Sequence, residues 1–204
     1  MTTKEKILNK ALDMFNAKGV EYVGIREIAM TLDLHVGNIT YYFPTKDDLV
    51  DSLSLELNRR NSEIVVDDQN LTLESFVLNF QKVFSNHLKF RCLLLSFVHL
   101  MEQNKKIAAR YKKTQKDRNA TLRKNLQTLN SSGYLKITDE NEIEFLVSNI
   151  AIIVRFWISE AVVSLKGHHP EKQLNYFVKM IARLLLPYAS AKGTKQLNLI
   201  IESL

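Results

Sequence analysis

Residues 146 to 165, LVSNIAIIVRFWISEAVVSL, form a run of twenty largely apolar residues, about the length that crosses a bilayer. Arg155 and Glu160 lie near its middle, where each charge costs roughly 2.5 to 3.5 kcal/mol in lipid. The flanking segments read as ordinary soluble helices. The run is therefore expected to be a core helix of an all-helical protein rather than a membrane span. A helix with two apolar faces must be covered on both. One stripe is Leu146, Ile150, Ile153 and Trp157. The other is Val147, Ala151, Val154, Ile158 and Val162. The second cover is expected to be another copy of the chain, through Val147, Val154, Ile158 and Val162 together with Phe177 and Ile181 of the next helix.

The rest of the sequence is punctuated the same way. Thr2 with Glu5 makes a capping box, and Ile7, Leu8, Ala11, Leu12 and Phe15 follow at helical spacing up to Gly19. A short second helix is predicted from Gly24 to about Leu32, and a third from Val36 to Phe43, stopped by Pro44. Thr45 caps a fourth that runs to about Asn61, with Asp47 and Asp48 in its first turn. Further helices are predicted at 72–89, 91–102, 105–130, 140–166, 170–187 and 194–204. Pro170 stands at a helix start. No strand alternation of useful length and no internal repeat is present. The polar stretch at 66–70 reads as a boundary.

With 204 residues, 46% of them hydrophobic, the chain can bury a core. Its single cysteine, Cys92, permits no internal disulfide and no cysteine metal cluster. Neither a signal peptide nor an enzymatic motif is evident: there is no G-x-S-x-G, no phosphate-binding glycine loop and no H-E-x-x-H. The expectation is a cytoplasmic, non-enzymatic protein without cofactor or metal. The net charge of +6 is unevenly spread. Residues 1–50 carry six Lys/Arg against seven acids, whereas residues 105–124 carry nine Lys/Arg against Asp117 alone. The basic segment reads as a solvated face, or as an attractor of DNA, an acidic ligand or an acidic partner.

The three short N-terminal helices have the layout of a helix-turn-helix unit, whose second helix of the pair enters the major groove. In the third helix, Ile39 and Phe43 anchor to the core, leaving Asn38, Thr40, Tyr41 and Tyr42 on other faces. The stretch IREIAMTLDLHVGNITYYFPTKDDL resembles the DNA-binding signature of the TetR family of transcriptional regulators. The matching residues are Arg26, Ile28-Ala29, Gly37, Ile39, Tyr42, Phe43, and Lys46 followed by an acid and Leu49, so the likeness covers roughly residues 5–52.

The resemblance implies a helix-turn-helix domain at 1–48, joined by a linking helix at 46–61 to a helical ligand-binding and dimerisation domain at 62–204. It implies a homodimeric repressor that binds a palindromic double-stranded DNA operator and responds to a small-molecule effector. DNA contacts are then expected from Arg26, His35, Gly37, Asn38, Thr40, Tyr41, Tyr42 and Lys46. Tyr42 and Lys46 would meet phosphates, while Asn38, Thr40 and Tyr41 would read bases. The sequence departs from the family pattern in several places. Val23 and Gly24 stand where a hydroxyl usually caps the second helix, Asp33 replaces the turn glycine, and His35 replaces a serine. A competing class is a protein-interaction module that uses the helix-turn-helix for packing and the basic helix for an acidic partner.

For the effector, Phe97, Met101, Asn149, Arg155 and Phe156 are the candidate contacts. The aromatic residues between 72 and 102 suit either an apolar pocket or a packed core. Arg155, if buried, needs a partner: Glu160 across an interface, another carboxylate, or an anionic ligand.

Overall fold

A computed structural model describes residues 1–64 and 70–204. The boundary expected at 66–70 falls, except for Asn70, outside the described residues. Helices are α1 (Thr3–Lys18), α2 (Ile25–Thr31), α3 (Val36–Tyr42), α4 (Lys46–Ser62), α5 (Leu73–Lys89), α6 (Arg91–Leu95), α7 (Phe97–Gln103), α8 (Lys105–Ser131), α9 (Glu140–Ser164), α10 (Pro170–Leu185) and α11 (Ala191–Ser203), with a 3-10 turn at Leu186–Tyr188. Among the described residues no strand forms, and the all-α expectation holds.

Local chemistry explains most boundaries. The Thr2 hydroxyl accepts from the Glu5 amide while the Glu5 carboxylate takes the Thr2 amide at 2.7 Å. Thr45 and Asp48 repeat that reciprocal cap at the start of α4. Two boundaries differ from expectation. The helix predicted over 91–102 breaks at Ser96, which is buried. The last helix starts at Ala191, because Ser190 caps it by accepting from the Gly193 amide at 3.1 Å. Gly193 is itself buried, and a Cβ there would lie 2.1 Å from the Tyr134 carbonyl oxygen.

The chain divides into two compact units: residues 1–62 with 89–112, and residues 63–88 with 113–204. Within this division α6, α7 and the first turns of α8 cluster with the N-terminal helices. In the first unit α1 packs on α2, α3, α4 and α6. Its core holds Ile7, Phe15, Ile28, Ile39, Phe43, Leu49 and Phe90. Asn16 ties α1 to the start of α6, donating to the Lys89 carbonyl at 2.8 Å and accepting from the Cys92 amide at 3.0 Å.

In the second unit α10 packs on α9 and α11. Its interior is aromatic: the Trp157 ring centre lies 4.7 Å from Phe84 and 5.7 Å from Phe177. The Trp157 indole N–H donates to His87 Nδ1 at 3.1 Å. Helix α9 is long and apolar enough to cross a membrane, and a third of its most apolar window is buried inside the chain.

Candidate nucleic-acid interface

The α2–α3 pair is joined by a turn with unusual backbone. Asp33 adopts φ 54°, the left-handed region that favours glycine, and so fills the role of the missing turn glycine directly. The Leu34 amide returns to the Ala29 carbonyl at 3.0 Å and closes the turn. His35 caps α3 in extended backbone (φ −70°, ψ 146°), and its amide donates to Asn38 Oδ1 at 3.1 Å.

Helix α3 is held down as expected by Ile39 and Phe43, both essentially inaccessible. The Lys4 ammonium sits 5.7 Å from the Phe43 ring centre, a cation–π contact. With 3.6 residues per turn, Gly37 and Tyr41 point directly away from that anchor, with Asn38 beside them and Thr40 and Tyr42 on the flanks. Exposure follows this phase: 80% for Tyr41 and 39% for Tyr42. The two rings meet edge to face with centres 4.9 Å apart. Neither tyrosine is packed beneath the domain.

Two polar side chains are partly engaged within the chain. The Thr40 hydroxyl donates back to the Val36 and Gly37 carbonyls at 3.3 and 3.4 Å. Lys46 donates to the Glu21 carbonyl at 3.2 Å, one of the three donors its ammonium carries. Arg26 is exposed on α2, and its neighbour Glu27 pairs with Lys18. At the start of α2, Gly24 supplies no side-chain cap.

The electrostatics change once the fold is known. Asp48 pairs with Lys106 at 2.8 Å and Asp51 pairs with Arg110, so the basic helix α8 neutralises acids on α4. The hydrogen bond from Lys106, helped by Thr45, holds the Asp48 carboxyl below its usual value. Counted over the first unit, fourteen Lys/Arg face ten Asp/Glu, a net of +4 where residues 1–50 alone give −1. The excess charge at 105–124 was visible in the sequence. That Lys106 and Arg110 pair with α4 was not, because it depends on contacts between residues more than fifty positions apart.

The other candidate residues are dispersed. Phe97 and Met101 belong to the first unit, Phe97 lying edge-on to Tyr111 at 4.9 Å. Asn149, Arg155 and Phe156 belong to the second. The Asn149 amide donates to the Phe145 carbonyl of its own helix at 2.8 Å, and the Arg155 guanidinium lies 5.7 Å from the Phe156 ring centre. Sequence reasoning missed the His87–Trp157 pair at the centre of the second unit. Burial, followed by the nearby Arg118, pushes the His87 imidazole down to about 3.

The six residues expected at a dimer interface differ in burial. Val147, Ile158, Phe177 and Ile181 are buried in the chain's own core, and Val154 is half-buried; of the six, Val162 is exposed. The apolar residues that α9 does expose are Phe145, Ile152, Val162 and Val163. Among the described residues no group of His, Cys, Asp or Glu is placed to hold a metal.

Comparison with known proteins agrees with this geometry. Residues 7–53 match the family described as "Bacterial regulatory proteins, tetR family", and residues 60–197 match "Bacterial transcriptional repressor", of the TetR type. A "Probable HTH-type transcriptional regulator YttP" of Bacillus subtilis (strain 168) is 41% identical over 56 residues, which span 28% of this chain and 27% of that protein. A TetR-family transcriptional regulator from Marinobacter aquaeolei VT8 has a similar fold, with a TM-score of 0.91 at 20% identity over 100% of this chain and 98% of that one. The SmeT–triclosan complex superimposes with a TM-score of 0.65 at 14% identity, covering 95% and 94% of the two chains. With both segments matched, and with a helix-turn-helix whose exposed face carries hydrogen-bonding and aromatic groups, the chain belongs to the TetR family of transcriptional regulators.

Proposed function

We propose that the chain acts as a cytoplasmic homodimer that represses transcription by placing α3 of each copy in successive major grooves of a palindromic operator. The observation that carries this reading is the outward face of α3: Gly37, Asn38 and Tyr41 point away from the Ile39–Phe43 anchor, flanked by Thr40 and Tyr42. Tyr42 and Lys46 bind phosphates, and Asn38 and Tyr41 read base edges. Arg26 and His35 lie exposed beside them, within the same α2–α3 unit. A positive first unit adds the counterion-release term that dominates affinity for DNA.

An apolar small molecule bound in the aromatic second unit would release the DNA. It can do so only by binding the DNA-incompetent arrangement more tightly, since equal affinity for both states shifts nothing. A triclosan complex is what is recorded for SmeT.

The test is selection from a random DNA pool, followed by fluorescence anisotropy on the enriched sequence across a salt series. A palindrome should emerge. Tyr42→Ala and Lys46→Ala should each weaken binding about tenfold, as expected for loss of a charge-assisted hydrogen bond. Lys46→Ala should also reduce the log–log salt slope by about one. Absence of any DNA binding at low salt refutes the proposal.

A further inference from the structure

The amide of Asn38 has a fixed orientation. Its side-chain oxygen accepts from the His35 backbone N–H at 3.1 Å. A backbone N–H can face only an acceptor, so oxygen and nitrogen cannot be exchanged at this position. The NH2 group therefore points away from the cap. Asn38 is exposed, and none of the described residues accepts the Nδ2 hydrogens. Thr40, on the flank of the same helix, already spends its single hydroxyl hydrogen on the Val36 and Gly37 carbonyls. Of these two polar side chains on α3, Asn38 supplies the donors.

This matters because asparagine usually reads adenine with both ends of its amide, donating to N7 and accepting from N6. One lone pair of Oδ1 is committed to the helix cap, so that pairing would share the oxygen between His35 and the base, whereas the NH2 group is unengaged. Its hydrogens instead meet two acceptors, N7 and O6, on the major-groove edge of guanine. Adenine offers N7 alone beside the N6 amino group, and cytosine only the N4 amino group, a donor opposed to a donor. Thymine offers O4 alone, with a methyl group beside it.

We infer that Asn38 is a specificity-determining residue that selects guanine at one position of each operator half-site, because its capping bond to His35 engages Oδ1 and leaves the N–H donors unengaged. This rests on the proposal that α3 enters the major groove, and the experiment separates the two.

Operator sequences are selected from random DNA with the full-length protein and with Asn38→Ala and Asn38→Asp. The wild-type half-site should contain one guanine whose preference disappears in Asn38→Ala. A carboxylate at position 38 keeps the bond to the His35 N–H and turns an acceptor outward. Asn38→Asp should therefore move the preference at that base pair from guanine to cytosine, which presents the N4 donor. In a second arm, 7-deazaguanine at that position in the selected operator should weaken binding by the wild-type protein about fivefold, the worth of one ordinary hydrogen bond. That arm needs no substitution, so it decides the matter even if loss of the cap frays α3.

Adenine at the position that responds to Asn38, guanine retained in Asn38→Asp, or unchanged affinity for the 7-deaza operator each overturns the inference while leaving the regulator reading intact. A wild-type protein that enriches no sequence overturns both.

Discussion

Gly37 stands in open space. A Cβ at this position would meet no heavy atom of the chain within 4 Å, and its backbone φ lies outside the left-handed region. The fold therefore does not require glycine here. In a helix glycine is less favourable than alanine by roughly 0.5–1 kcal/mol. A residue that costs stability without a packing reason invites an explanation outside the chain, and close approach of α3 to the DNA supplies one. Gly37→Ala is expected to raise stability by up to about 1 kcal/mol in thermal melts while weakening operator binding. Unchanged affinity would mean that the groove has room for the methyl group. Gly193 is the opposite case, since its Cβ would collide with the Tyr134 carbonyl at 2.1 Å. Both glycines look alike in the sequence, and nothing local to either one distinguishes them. The orientation of the Asn38 amide is hidden for a related reason, because it depends on the backbone direction of His35.

Helix ends were legible because they are written in local chemistry: Thr2 with Glu5, Thr45 with Asp48, and Pro170 at the start of α10. Helix faces were legible only where polar and apolar residues alternate cleanly, as in α3. Helix α9 is apolar on both sides, so the sequence could not say which stripe meets its own domain. The structure buries Val147 and Ile158 and exposes Phe145 and Ile152. Contacts between distant elements were equally out of reach. His87 on α5 accepts from Trp157 on α9, and both are buried.

That contact has a consequence for pH. A folded imidazole held at about 3 stays neutral while the unfolded one protonates near 6.5. Between those values the unfolded state binds more protons, so stability rises with pH across the window and falls as acid is added. The loss should reach about 2 kcal/mol by pH 5, screened little because the group is buried. Denaturant melts from pH 7 to pH 4 should show this slope in the wild type. They should show a flatter one in His87→Gln, whose amide oxygen can still accept from the indole. Equal slopes in the two proteins would place the acid sensitivity elsewhere.

For the molecule as a whole, the question is what covers the outer stripe of α9. Phe145, Ile152, Val162 and Val163 recur at spacings of seven, ten and one along the helix, with Arg155 and Ser159 between them on neighbouring turns. A single operator half-site contacts few phosphates, and affinity falls with salt in proportion to the number neutralised. A two-fold dimer doubles that number and joins two copies of α3. The prediction is that Ile152→Asp, at a position 55% exposed in the chain, leaves far-UV circular dichroism and the melting temperature of the monomer unchanged. In sedimentation velocity at micromolar concentration it should convert a dimer into a monomer, because an unpaired carboxylate in an apolar interface is strongly unfavourable. On the selected palindrome its log–log salt slope should fall to about half that of the wild type, since one head then neutralises half the phosphates. Val147→Asp provides the contrast, because Val147 is only 2% exposed and the substitution should unfold the second unit. If Ile152→Asp stays dimeric with a full salt slope, the exposed stripe of α9 is not the dimer surface. If the wild type is itself monomeric and binds a single half-site, the two-fold reading of the molecule fails.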